Sequence, residues 1–209
     1  MYSPPYNQIE NRAEALEFMR ANNFAVVITA TGGEPRASHL PVLIEEREKG
    51  LVIVAHMAKN NPQWEAFFEG EDADEVLVVF HGAHAYVSPR WYVEKERVPT
   101  WNYAAVHAYG KVKAFHGAEE KRAAVAKLVA HHDPKWQPEF EKLSPAYMEG
   151  MLGGIVAFEI PVDRIETRWK LSQNRGRQEM ELITAELEKS PYGWERNLVP
   201  LMRRHLVDK

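Results

Sequence analysis

The 209-residue chain contains no cysteine. Disulfides, thiolate metal sites and cysteine nucleophiles are therefore excluded, which is compatible with a reducing cytosol and makes a cytoplasmic location the expectation. No apolar run approaches the roughly 18 residues of a membrane-spanning helix, and no membrane partner is expected. The start "MYSPPYNQIENRAEAL" lacks a charged head followed by an apolar core, so it does not read as a secretory signal. Positive charge is not in excess: 26 Lys and Arg stand against 30 Asp and Glu, for a net charge of −4. No whole-protein basic field draws the chain to DNA or to an anionic surface, although a local basic patch remains open. The sequence has no G-x-S-x-G, no Walker loop and no G-x-G-x-x-G, which argues against a nucleophile elbow, P-loop phosphoryl transfer and a dinucleotide-binding turn. It has no helix-turn-helix signature either.

Aromatic residues are plentiful: they make up 11% of the chain, with six Trp. Asn11 and Glu14 predict a capped helix, followed by a β-branched strand "FAVVITAT" (24–31), a turn at 32–35 and a strand "RASHLPVLIEE" (36–46). "GLVIVAHM" (50–57) reads as a third strand. Asn61 and Pro62 then open a short helix. Strands are expected in "DEVLVVFHG" (74–82) and "AHAYVSPRWY" (83–92), a polar loop over 93–100, and one long strand in "WNYAAVHAYGKVKAFHG" (101–117). Helices follow over 118–133 and 144–154. A last strand over 155–171 has a bulge or bend expected at Pro161. Two helical stretches, about 176–190 and 194–206, close the chain. Strands and helices do not alternate regularly, so the expected class is mainly β: a small antiparallel barrel with flanking helices and a helical C-terminal tail. The boundary falls near Trp169, giving a barrel domain over 1–168 and an extension over 169–209 packed on it.

Several clusters could carry chemistry. Lys59, Asn60 and Asn61 stand where a strand meets a helix start, which suits either a phosphate seat or an ordinary polar corner. His81 and His84 have H-x-x-H spacing, but no nearby third ligand completes a zinc site, and no metal is expected. His131 and His132 suit a helix C-terminus. Tyr86, Trp91 and Tyr92 read as core or as walls for a flat ring. Arg36 and Ser38 share one strand face, with Ala37 and His39 on the other. The segment 163–178 is the most basic in the chain and ends in the polar-aromatic cluster "WKLSQN".

Taken in order, "MYSPPYN", "NNPQW", "AYVSPRWY", "VPTWNYAAVHAYG" and "WKLSQNR" resemble the PaiB family, the FMN-binding negative transcriptional regulators of bacteria. The resemblance runs from Met1 to about Arg177. It implies a homodimeric split β-barrel of the type shared with pyridoxamine phosphate oxidases and flavin reductases, with FMN in clefts at the dimer interface. It further implies that Arg36, Ala37, Ser38, His56, Met57, Ala58, Lys59 and Asn61 line the flavin and its phosphate. Lys59 would pair with the phosphate, and the start of the helix at 61–64 would donate N–H groups to it. Tyr86, Trp91, Trp101 and Asn102 would come from the partner chain, and Lys170, Ser172 and Gln173 would close the pocket. The oxidases carry a basic strand for a phosphorylated substrate. Here the comparable strand offers only Arg36, which argues against pyridoxamine phosphate oxidation. Three roles stay open: a flavin-dependent regulator acting on DNA or through another regulator, an FMN-dependent oxidoreductase, and a haem-handling barrel with a histidine as iron ligand.

Overall fold

The computed structural model describes residues 1–9, 11–31, 33–67, 75–94 and 96–206. Gly32 of the expected turn, Asp74 of the expected strand start, Lys95 of the polar loop and the 68–70 end of the short-helix segment lie outside these residues. Among the described residues there are eight strands and seven α-helices, joined by short 3-10 turns at Pro5–Asn7, Pro62–Phe67 and Pro89–Trp91. The strands are β1 (Phe24–Thr31), β2 (Glu34–Pro41), β3 (Leu43–Arg47), β4 (Gly50–Ala58), β5 (Val76–Val87), β6 (Thr100–Gly110), β7 (Lys113–Ala114) and β8 (Ile155–Lys170). Their order in the sheet is β2-β1-β5-β6-β8-β4-β3, with β7 also on β8. β1 pairs antiparallel with β2 and β5, and β4 pairs antiparallel with β3 and β8.

Three strand expectations are corrected. The predicted strand 36–46 is two strands that meet at Val42: pairing with β1 runs to Pro41, the Val42 N–H still bonds the Asn23 carbonyl at 2.8 Å, and from Leu43 the chain pairs with β4. The chain thereby leaves β1 and joins β4. The predicted break at Gly82 does not occur: β5 runs unbroken through it for 12 residues. The predicted strand 101–117 is instead β6 followed by the two-residue β7, interrupted at 111–112. The β4 register runs evenly from Ala58↔Ile155 to Val52↔Pro161, where it ends. Pro161 does set a steric demand. A Cβ on Gly110 would lie 2.0 Å from the Pro161 carbonyl oxygen, so β6 can approach only with glycine there.

The chain forms two compact units. One comprises 19–80 and 107–165. Its core contains Val27, Ile53, Ala55, Phe80, Phe158 and Ile160, all at 0% exposure, and Phe67 packs on Phe158 with ring centroids 4.9 Å apart. Helix α2 (Ala118–His132) sets Ala124 against Val52, Val54 and Ala157. Helices α3 (Gln137–Glu141) and α4 (Pro145–Gly153) bury Phe140, Met148 and Leu152 in a satellite core. α3 is not evident from the sequence, since five residues are too few to show a helical period.

The other unit comprises 1–18, 81–106 and 166–209. Helix α1 (Arg12–Ala21) starts as expected, with Asn11 Oδ1 accepting from Ala13 N at 3.0 Å. The Glu14 carboxylate, expected to complete the cap, instead accepts from His205 Nε2 at 2.5 Å. The tail forms α5 (Arg177–Leu187), α6 (Gly193–Arg196) and α7 (Val199–Arg204). Their apolar faces bury Met180, Ile183, Leu187, Leu198 and Met202. Trp169 is completely buried and packs 4.9 Å from Phe18. No described helix is long and apolar enough to cross a membrane.

Candidate functional site

The sequence-selected residues fall into two sets, one in each unit. In the first set, β4 ends at His56, Met57 and Ala58, and the chain turns through Lys59, Asn60 and Asn61 into the 62–67 helix. Asn61 holds this turn with both ends of its amide. Its Oδ1 accepts from Gln63 N at 3.0 Å, and its Nδ2 donates to Ser38 Oγ at 2.7 Å. Ser38 is thereby fixed to the turn, with its own hydroxyl proton left to donate.

Gln63 is the residue that sequence reasoning misses. It is 2% exposed, and its Nε2 approaches the Val27 carbonyl (2.9 Å), the Arg36 carbonyl (3.1 Å) and Thr29 Oγ1 (3.3 Å). One buried amide thus ties β1, β2 and the turn together. A glutamine in a short helix gives no local signal of this, because its partners lie 27 to 36 residues earlier in the chain.

The set presents Arg36, Ala37 and Lys59 to solvent. Arg36 approaches Glu34 at 3.5 Å. Lys59 has no ion-pair partner among the described residues. Three backbone N–H groups at the turn are already committed: Lys59 N to Gly154 O (2.9 Å), Asn61 N to Ala58 O (2.9 Å) and Gln63 N to the Asn61 side chain. The start of the short helix therefore does not offer the N–H groups that the sequence suggested, and anion affinity here must come from side chains. His56 Nδ1 is buried and has no hydrogen-bond partner among the described residues. Burial holds the His56 pKa below the usual histidine value, which favours the neutral ring.

The second set lies on β5, β6 and the loop after β8. Tyr86 and Trp101 are 41% and 51% exposed and meet edge to face, with centroids 6.1 Å apart. His84 lies beside Trp101, also at 6.1 Å, and Trp91 is half-buried on the 3-10 turn that follows β5. Asn102 is completely buried. Its Oδ1 accepts from Ser172 Oγ at 3.1 Å and its Nδ2 points at Met202 Sδ, 3.7 Å away. Ser172 has the left-handed φ of 67°, which strains a non-glycine residue. Gln173 holds that conformation, donating to Trp169 O at 2.5 Å and accepting from Leu171 N at 2.8 Å. The Gln173 amide is therefore committed within the loop. Lys170 donates to Thr100 Oγ1 at 2.5 Å, and burial, then the adjacent Arg168 charge, holds its pKa below the usual lysine value. The His81 and His84 rings lie 5.1 Å apart, tilted by 55°, and burial, then the charge on His84, lowers the His81 pKa. Among the described residues no group of three or more His, Asp or Glu side chains gathers as a metal site.

Comparison with known proteins agrees with this architecture. The family model described as "Putative FMN-binding domain" matches residues 1–164. The Bacillus subtilis "Protease synthase and sporulation protein PAI 2" is 38% identical over 211 aligned residues, covering 99% of this chain and 98% of that protein. Among solved structures, the flavocytochrome Anf3 from Azotobacter vinelandii superposes with a TM-score of 0.62 at 12% identity, covering 78% of this chain and 69% of that one. A FAD and heme binding protein from Mycobacterium smegmatis gives 0.60 at 17% identity, covering 78% and 73%. At such identities the structures speak for the fold alone, which is a mainly antiparallel split β-barrel. The length of the domain match and the end-to-end relative together establish that the chain belongs to the PaiB family of FMN-binding proteins.

Proposed function

We propose that the chain is a homodimeric, cytoplasmic FMN protein of the PaiB type that acts as a negative transcriptional regulator. The split-barrel domain is 1–168, and 169–209 is an extension packed on it. The observation that carries the reading is the locked corner at the end of β4, where Asn61 and Gln63 hold Ser38 and Arg36 beside the Lys59 turn. Its donor set fits FMN. Lys59 and Arg36 supply positive charge for a phosphate, the Ser38 hydroxyl can donate, and His56 offers an unpartnered ring nitrogen at a buried position. Met57, Ala58 and Ala37 provide apolar or small surface beside them. Tyr86, Trp91 and Trp101 belong to the partner's contribution and Lys170 closes the cleft, while the buried Asn102, Ser172 and Gln173, bound to one another and to the loop, position Lys170 without touching the ligand. Half-exposed Tyr86 and Trp101 support a dimer, because large aromatic pairs are favoured at interfaces over open solvent. When bound, FMN supplies reversible acceptance of electrons or hydride; the chain binds it, orients it and excludes water.

Regulation is favoured over oxidoreduction by the end-to-end relationship to a sporulation protein and by the lone arginine in the strand where oxidases bind a phosphorylated substrate. The acidic chain, with no helix-turn-helix, favours action through another regulator over direct operator contact. An absorption spectrum before and after loading FMN tests the cofactor. About one flavin retained per chain supports the reading, whereas no retention, or a Soret band in its place, refutes it. Turnover of reduced nicotinamide by the flavin-loaded dimer would favour the oxidoreductase.

A further inference from the structure

The second unit contains a cavity of about 240 Å³, bordered by Lys170 of the proposed cleft, whose interior the proposed function leaves unassigned. The N-terminal segment forms one side, with Tyr2 and Tyr6. Arg168, Lys170 and Arg175 form the other, over the buried Asn102. The N-terminal segment is fixed along β8 by four contacts. The terminal amine pairs with Glu166, and Arg168 Nη1 donates to the Tyr2 carbonyl. Ile9 N donates to Thr167 Oγ1 at 2.9 Å, and Thr167 Oγ1 donates back to the Ile9 carbonyl at 3.2 Å.

The charge at this cavity is unbalanced. Arg175 is paired with Glu179 at 3.0 Å. Arg168 and Lys170 have no carboxylate partner among the described residues, and none lines the cavity. Arg168 Nε is buried and has no hydrogen-bond partner among the described residues, while the guanidinium lies 5.3 Å and 5.6 Å from the Tyr2 and Tyr103 rings. Two like charges held side by side in a partly buried wall raise one another's energy unless an anion neutralises them. The unpartnered Nε is a donor at the same place. At about 240 Å³ the space lies below the roughly 300–1,000 Å³ usual for a whole cofactor or drug-sized ligand.

We infer that this cavity is a binding site for a small oxyanion, a phosphate or a carboxylate group, held by Arg168 and Lys170 under the N-terminal segment and separate from the phosphate seat at Lys59. Arg168 and Lys170 supply the charge, and Tyr2 and Tyr6 flank it. A small anionic effector bound here would stabilise the N-terminal segment against β8.

The test is a titration of inorganic phosphate into purified protein at constant ionic strength, followed by melting temperature, with and without saturating FMN. Acetate serves as the carboxylate arm. The expected result is a rise of a few degrees that persists in FMN-loaded protein, is unchanged in Lys59→Ala, and is lost in Lys170→Gln. Arg168→Gln should weaken apparent phosphate affinity by at least about ten-fold. Arg168→Lys, which keeps the charge, should retain part of the response should the glutamine variant not fold. A response that FMN abolishes and that Arg168→Gln also removes would overturn the inference, because the cavity would then be the cofactor's own phosphate site. A response lost in Lys59→Ala but kept in Lys170→Gln would place the anion at the other seat. No response in the parent protein would also overturn it. Since the Lys59 and Lys170 variants are read without flavin as well, failure of FMN to bind leaves this result interpretable.

Discussion

Replacing Gln63 with leucine separates the architecture of the β4 corner from its chemistry. Leucine has similar bulk but no donor, so the carbonyls of Val27 and Arg36 lose the Nε2 hydrogens they share. A buried acceptor deprived of its donor costs about 1–3 kcal/mol. Two factors reduce the sum. Arg36 lies in an exposed strand where water can replace the lost donor, and Gln63 Oε1 is itself buried with no partner among the described residues, so removing it relieves a penalty. The net cost is about 2–3 kcal/mol, which for a chain of this size lowers Tm by roughly 4–12 °C. β2 is also released from the turn, so Ser38 and Arg36 no longer sit where a ligand finds them, and FMN affinity should fall about ten-fold. Thermal unfolding followed by tryptophan fluorescence and an FMN titration by flavin fluorescence measure the two effects. A variant that melts within a degree of the parent and binds FMN equally well would refute the claim that this amide holds the corner.

Lys59→Ala should weaken FMN by about 10- to 100-fold and riboflavin hardly at all, since a charge-assisted hydrogen bond to phosphate contributes about 1.5–3 kcal/mol; equal losses for both flavins would exclude the phosphate assignment. Gly110→Ala should destabilise by about 1–3 kcal/mol or more, because its Cβ meets the Pro161 carbonyl, and urea denaturation reads this directly. Trp101→Glu should yield a monomer by light scattering with a far-UV spectrum like that of the parent; a persistent dimer would remove Trp101 from the interface. His56 and His81 have lowered pKa values when folded, so the unfolded chain takes up their protons first on acidification. Stability should be level above the ordinary histidine value and decline as pH falls through it. His56→Gln should flatten that decline, which a pH series of denaturation midpoints would show.

Much of the site was legible where chemistry is local. Asn61 followed by Pro62 announces a capped helix start, and Asn61 does cap it. "WKLSQN" announces a packed polar-aromatic cluster, and Trp169, Ser172 and Gln173 are buried together, although Asn174, expected with them, is exposed. Illegible features depend on residues distant in sequence. Gly82 looks like a break because glycine weakens strands, yet the ladder on either side carries β5 through it. Glu14 looks like a capping partner, but His205, from the far end of the chain, takes its carboxylate. The helix start at 61–64 looks like an anion seat until each N–H is traced to an acceptor already in place. Such competition is decided by tertiary contacts and leaves no trace in spacing or composition.

That competition divides the corner's residues by role. Asn61, Gln63 and three backbone amides of the turn are bound to the protein itself, so they set geometry and contribute nothing directly to a ligand. Lys59, the Ser38 hydroxyl proton and the exposed Arg36 remain to meet one. Substitutions in the first group should therefore move stability and ligand affinity together, while those in the second should move affinity at nearly constant stability. A corner already rigid before binding loses little entropy when a ligand arrives. On the proposed reading its few contacts hold a flavin phosphate without the ring of backbone N–H groups that a longer helix or a glycine-rich loop would present. The strained Ser172 loop follows the same logic in the other unit. Asn102 and Gln173 hold the left-handed φ, which leaves Arg168 and Lys170 as the cations that loop and strand present to an incoming anion.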